Sequence, residues 1–197
     1  MSKIALGCLV DGFSSPTSLN ERSIIAIRKL ANFYKKLAGM GHYVEIWITK
    51  SIVIHPDEQT PLYQIMHKAV LLEGVPASYI RITDQPAYNA LTDGGTFANY
   101  AAMHPMDEYI FVVPNFYLYF LLTYRAMRKY MGDGKDWDNI SVISACGWAN
   151  LKACLLYGTL ILATTVASQN KWLWLKWFNL RAKEKEKRES GFVSTVS

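Results

Sequence analysis

Cysteine is scarce in this chain, and its spacing argues against a metal site. Cys8, Cys146 and Cys154 are the only three, lying in or beside apolar runs without a CxxC pair or a Cys/His ligand pattern. The expectation is three reduced, buried thiols on a reducing side, and no metal. Nucleotide fingerprints are missing too: neither GxGxxG nor GxxxxGK[ST] occurs. A long hydrophobic run is also lacking. Residues Ala153–Asn170 carry no charge and Leu155–Ala167 is nearly all apolar, but that stretch is too short and too rich in Gly and Thr for a membrane span. A buried core helix is expected there. The first apolar run begins at Ile4, so no signal peptide is expected.

Charge is modest, with 19% charged against 51% hydrophobic residues, which suits a packed core. The formal net charge of +5 owes much to Lys171, Lys176 and Arg181–Arg188 at the end of the chain. The preceding residues are close to balanced, so no basic groove is implied and nucleic acid is not an expected partner.

Five short β-branched and apolar runs, each ending in a polar tip, are what the chain does contain. They are Ile4–Val10, Val44–Ile48, Tyr79–Ile82, Tyr109–Val113 and Ile140–Ile143. Helical patterns separate them. Strands alternating with helices predict a three-layer, Rossmann-like doubly wound α/β sheet of about five parallel strands. That domain is expected over residues 1–147, followed by a C-terminal helical extension over 148–197.

The first helix is expected to start near Ser18, with Glu21 as capping-box partner, and to stop at Gly39-Met40-Gly41. A second should run from Pro61, in the first turn, to Leu72, stopped by Gly74 and Pro76. The third, about Ala90–Met103, is weakened by Gly94-Gly95. The fourth covers Phe116–Met131. Beyond the sheet, Trp172, Trp174, Trp177 and Phe178 sit with leucines on nearly every side of a helix beside Lys171, Lys176 and Arg181. Such a segment suits a bilayer interface or a partner's groove, where a solvated helix would show one apolar stripe. Self-association through the same aromatic face is a further possibility. The Lys/Glu run Lys183–Glu189 reads as a solvated helix end.

Parallel sheets of this kind bind ligands outside the carboxyl ends of their strands. Asp11, Gly12, Ser18, Arg22, Lys50, Ser51, Asn89 and Asn115 come from those tips and are the candidate ligand-binding residues. Two readings of the Asp11-Gly12 loop stand side by side: an anion site at a helix start, or an ordinary strand-to-helix turn with an Asp cap. No nucleophile–base pair emerges. His42, His55, His67 and His104 lack a carboxylate partner or metal spacing. Asp57-Glu58 and Asp107-Glu108 fall where caps and strand entries commonly carry charge.

Three stretches carry a family likeness. Gly7 in the first strand is followed by Ser18-Leu19-Asn20-Glu21-Arg22 and Ala26. Lys68–Pro76 reads as a helix closed by Gly74-Val75-Pro76, leading to Tyr79-Ile80. Ile110–Asn115 precedes a helix with Arg125. Together they resemble the domain-of-unknown-function family of bacterial envelope proteins that includes SanA, ElyC and YdcF, over roughly residues 4–145. The resemblance implies an α/β pocket for nucleotide-like or phosphorylated envelope-precursor ligands.

The departures fall on that pocket. Thr49-Lys50-Ser51 replaces a Ser-Gly-Gly turn, and Asn89-Ala90-Leu91-Thr92-Asp93 loses a Thr. Tyr117 stands where the family has His, which removes a group that titrates near neutral pH. The expectation is therefore a catalytically degenerate member with no catalytic residue and no cofactor. It would act as a structural or binding subunit of a membrane-associated assembly, docked through the C-terminal helices. The alternative is a small-molecule binder or enzyme at the strand ends.

Overall fold

A computed structural model describes residues 1–10, 12–15, 17–52, 60–87, 90–114 and 140–146, all within the unit Met1–Trp148. The fourth expected helix, Phe116–Met131, and the extension 148–197 lie outside the described residues.

All five apolar runs form strands. They are β1 (Lys3–Cys8), β4 (Tyr43–Ser51), β5 (Ile80–Ala87), β6 (Glu108–Val113) and β7 (Ile140–Ser144). They pair in parallel in the order β5-β4-β1-β6-β7. The chain thus winds outward from β1 through β4 to β5, then returns to β1's other side for β6 and β7. This is a doubly wound sheet with its reversal between β1 and β6.

Strand alternation divides the core into two layers. Ile4, Leu6 and Cys8 of β1, with Val44, Ile46 and Ile48 of β4, pack against α1 (Glu21–Gly39) and α2 (Leu62–Leu72). Ala5 and Leu9, with Trp47, Tyr109, Phe111 and Val113, pack against α3 (Ala90–Met103) on the other side. The first layer is mostly aliphatic, whereas half of the buried residues of the second are aromatic. Trp47 meets Tyr100 edge-on at 4.8 Å, and Phe97 meets Phe111 at 5.0 Å. Gly7 makes the aromatic layer possible. It lies beside both Trp47 and Phe111 in the ladder, and a Cβ there would stand 2.3 Å from Cδ1 of Phe111.

The start of α1 differs from expectation. Ser18 is not its cap: Ser18–Leu19 forms β3, antiparallel to β2 (Phe13–Ser15), and the Ser18 and Ser15 hydroxyls lie 2.9 Å apart. Asn20 caps instead, its Oδ1 accepting the Ser23 N–H at 2.9 Å. Two residues of hairpin suffice to take Ser18 away from the helix. Pro61 sits at the cap of α2 instead of in its first turn. The helix closes as expected, with the Gly74 N–H on the Leu71 carbonyl at 2.9 Å. Helix α3 runs through Gly94-Gly95, both buried, anchored by Phe97, Ala98, Tyr100 and Ala101. Among the described residues no helix is long and apolar enough to cross a membrane.

Candidate functional site

The reversal between β1 and β6 places the candidate site at their carboxyl ends. Past β1 the chain reaches Gly12, whose φ of +126° is disfavoured for residues with a side chain. Its carbonyl accepts the Asn20 N–H at 3.1 Å and closes the β2–β3 hairpin. Arg22 follows, exposed, in the first turn of α1.

The positive end of α1 is partly taken up within the chain. Asn20 supplies Oδ1 to the Ser23 N–H and its carbonyl to the Ile24 N–H, and Glu21 adds a carboxylate in the first turn. A helix start serves anions when its N–H groups are open and no negative charge competes. Here both conditions are weakened.

The same side of the sheet end is strapped. Lys29 Nζ donates to the Ser144 carbonyl at 2.6 Å, and Cys146 Sγ lies 3.6 Å from the Arg22 carbonyl. The N–H of Ala145 donates to the Val113 carbonyl and that of Cys146 to the Pro114 carbonyl. The end of β7 is thus tied both to β6 and to α1. Cys146 is half-buried, not buried as expected, because the turn after β7 brings it to the rim over α1's first turn.

Gly12, Ser18 and Arg22 therefore come from one segment beside β7. Lys50 and Ser51 sit elsewhere on the rim, at the end of β4. The Lys50 N–H donates to Thr83 Oγ1 at 3.0 Å, and Ser51 is buried beside Ala87 of β5. Separate hydrogen-bond sets hold the two groups. Asp11, Asn89, Asn115, Trp172, Trp174, Trp177 and Phe178 lie outside the described residues, as do Cys154 and His55. His42 Nδ1 accepts the Ser2 N–H, and His104 stacks on Tyr100 at 4.3 Å. Asp107 binds the Lys3 N–H at 2.7 Å, a strand-entry role. Among the described residues no cluster of His, Cys, Asp or Glu could hold a metal ion.

Cys8, at the end of β1, is fully buried, and its thiol is pushed up to about 12, first by burial and then by the charge of Asp93. A thiol held protonated is a poor nucleophile. The unfolded chain releases this proton first, since its ordinary value is 9.0. Stability is therefore intact below pH 9 and falls as pH rises toward 12, with on the order of 1 kcal/mol lost by pH 10. Urea unfolding of Cys8→Ala should show that decline beginning about one pH unit later, where phenols start to ionise. An unchanged slope between pH 9 and 10 in the variant refutes the assignment to Cys8.

A second polar cluster sits at the opposite, amino end of the sheet. Glu45 is 7% exposed. Its Oε1 accepts from Tyr43 at 2.8 Å and from Arg81 at 3.0 Å, and its Oε2 from Trp47 Nε1 at 3.0 Å. The hydrogen bond to Glu45, then burial, then its charge raise the Tyr43 phenol above its usual range, with Arg81 opposing. Burial pushes Arg81 down, but Glu45 and Tyr43 outweigh it and hold the guanidinium above its usual range. A carboxylate so fully engaged is a structural anchor, not a base.

Fold and rim define a doubly wound, three-layer α/β domain. No family model matches the chain, and no curated protein matches it.

Proposed function

We propose that this chain is a non-catalytic α/β module, a degenerate relative of the SanA/ElyC/YdcF-like proteins, serving as a binding or structural subunit of a membrane-associated assembly. The observation that carries the non-catalytic half is the start of α1, capped at Ser23 by Asn20, carrying the Glu21 carboxylate in its first turn, and strapped to β7 through Lys29 and Cys146. The docking half rests on sequence. Trp172, Trp174, Trp177 and Phe178, interleaved with Lys171 and Lys176, are costly to leave in water and suit a protein groove or bilayer interface on the reducing side. A chain lacking residues 172–197 should keep its melting transition while losing co-sedimentation with membranes or assembly. Unchanged co-sedimentation counts decisively against the docking half.

A second reading is favoured by the strand order itself, because doubly wound sheets bind ligands where the order reverses. Nucleotides or sugar phosphates would then sit near Gly12, with Lys50 on the neighbouring strand. A ligand at 100 times its dissociation constant stabilises by about 2.7 kcal/mol. A flat melting screen across such ligands, unaltered by Lys50→Ala, favours the non-catalytic module.

A further inference from the structure

The near-balance of charge ahead of the C-terminal extension conceals a segregation. Of the nine described Lys and Arg residues, six lie on α1 and α2: Arg22, Arg28, Lys29, Lys35, Lys36 and Lys68. Only Glu21 and Glu73 oppose them there, leaving a local net charge of +4. The other described residues hold three cations and five carboxylates, net −2. Both helices cover the same face of the sheet. They are joined at the surface by Arg28 Nε and Glu73 Oε1 at 3.1 Å.

Toward their C-terminal ends this face also turns apolar. Leu72 is 78% exposed, Met40 63% and Leu71 37%, three of the seven exposed large hydrophobic residues of the described part. Lys68, Leu71 and Leu72 share one stripe of α2 by i, i+3, i+4 spacing, and Lys36 and Met40 share one on α1. Lysines near a helix C-terminus complement its dipole and need no partner. Exposed leucine and methionine beside them have no such reason.

We infer that the outer surface of α1 and α2 toward their C-terminal ends, where Lys35, Lys36, Met40, Lys68, Leu71 and Leu72 are all exposed, docks on an anionic lipid surface, as a contact separate from the C-terminal aromatic segment. Cations there engage headgroups while the aliphatic side chains enter the boundary with the acyl region. A nucleic acid backbone would use the lysines but give Leu72 and Met40 nothing.

The test is flotation of the full chain with vesicles of phosphatidylcholine alone or with about one-third phosphatidylserine. Each basic residue near such a surface contributes about 1 kcal/mol, roughly a fivefold change in binding. The triple variant Lys35→Glu/Lys36→Glu/Lys68→Glu should therefore lose at least about a hundredfold on anionic vesicles and nothing on neutral ones. Met40→Ser/Leu72→Ser should weaken anionic binding while leaving the melting transition in place. The full chain with Trp174→Ala/Trp177→Ala should retain its preference for the anionic vesicles. Loss of that preference, or indifference to the triple charge reversal, overturns the inference and assigns lipid contact to the aromatic segment alone. Absence of vesicle binding, or tighter binding of RNA abolished by the same reversal, overturns it as well.

Discussion

Gly7→Ala should lower the unfolding temperature by about 6–12 °C, the equivalent of about 3 kcal/mol in a chain of this size. Gly7 stands in the central strand, laddered on one side to Trp47 and on the other to Phe111. An added Cβ would meet Cδ1 of Phe111 at 2.3 Å and Cε1 at 2.4 Å, far inside van der Waals contact. A long flexible side chain could move aside, but this ring cannot. It is 3% exposed and packed edge-on against Phe97, which is wholly buried. The backbone cannot shift either without stretching hydrogen bonds on both edges of β1. Phe111→Leu opens the space at a cost of its own. The double variant should accordingly be more stable than the sum of the single losses predicts. Thermal melts of the three variants decide this. A Gly7→Ala chain within about 2 °C of the parent means the aromatic layer is looser than the packing implies.

The fold was legible where short apolar, β-branched runs alternate with helical patterns. All five strands lie where β-branched runs place them: the inner strands β4, β1 and β6 are mostly buried, as strands covered on both faces must be, while the edge strands β5 and β7 carry the shortest runs. Their spatial order is a tertiary fact with no local signature, so the reversal between β1 and β6 emerges only from the pairing. The β2–β3 hairpin escaped because strands of three and two residues carry no periodicity. That omission moved the start of α1 from Asn20 to Ser18, since both residues are good caps.

At the rim, Gly12 and Arg22 were readable as loop and helix-start residues. The strap from Lys29 to Ser144 was not, because it joins residues 115 positions apart. The Glu45 cluster did leave a trace. Glu45 interrupts one apolar run and Arg81 the next, and opposite charges in two adjoining strands signal an ion pair once those strands are known to be neighbours.

That cluster supplies the other large expected effect. Glu45→Ala should destabilise the domain by about 3 kcal/mol, read as a urea midpoint shift with unchanged slope. Most of the loss comes from the donors left behind. Trp47 is 1% exposed, so its indole N–H has no water to replace the carboxylate. Tyr43 loses its acceptor as well. Arg81, with a side chain 39% exposed, can turn to solvent and contributes less. Glu45→Gln separates these contributions. Its amide offers one acceptor oxygen where the carboxylate offered two, so one of the three donors must lose its bond, and roughly half of the loss should remain. The Tyr43 phenol is held up chiefly by the hydrogen bond it donates to Glu45, from an ordinary value of 10.0. In Glu45→Gln it should fall back toward that value in an ultraviolet phenolate titration. Because a raised phenol stabilises the fold below its ordinary range and loses that contribution as pH climbs through it, the parent's alkaline decline should flatten in the variant. If Glu45→Ala costs less than about 1 kcal/mol, water has replaced the carboxylate and the cluster does not anchor the aromatic layer.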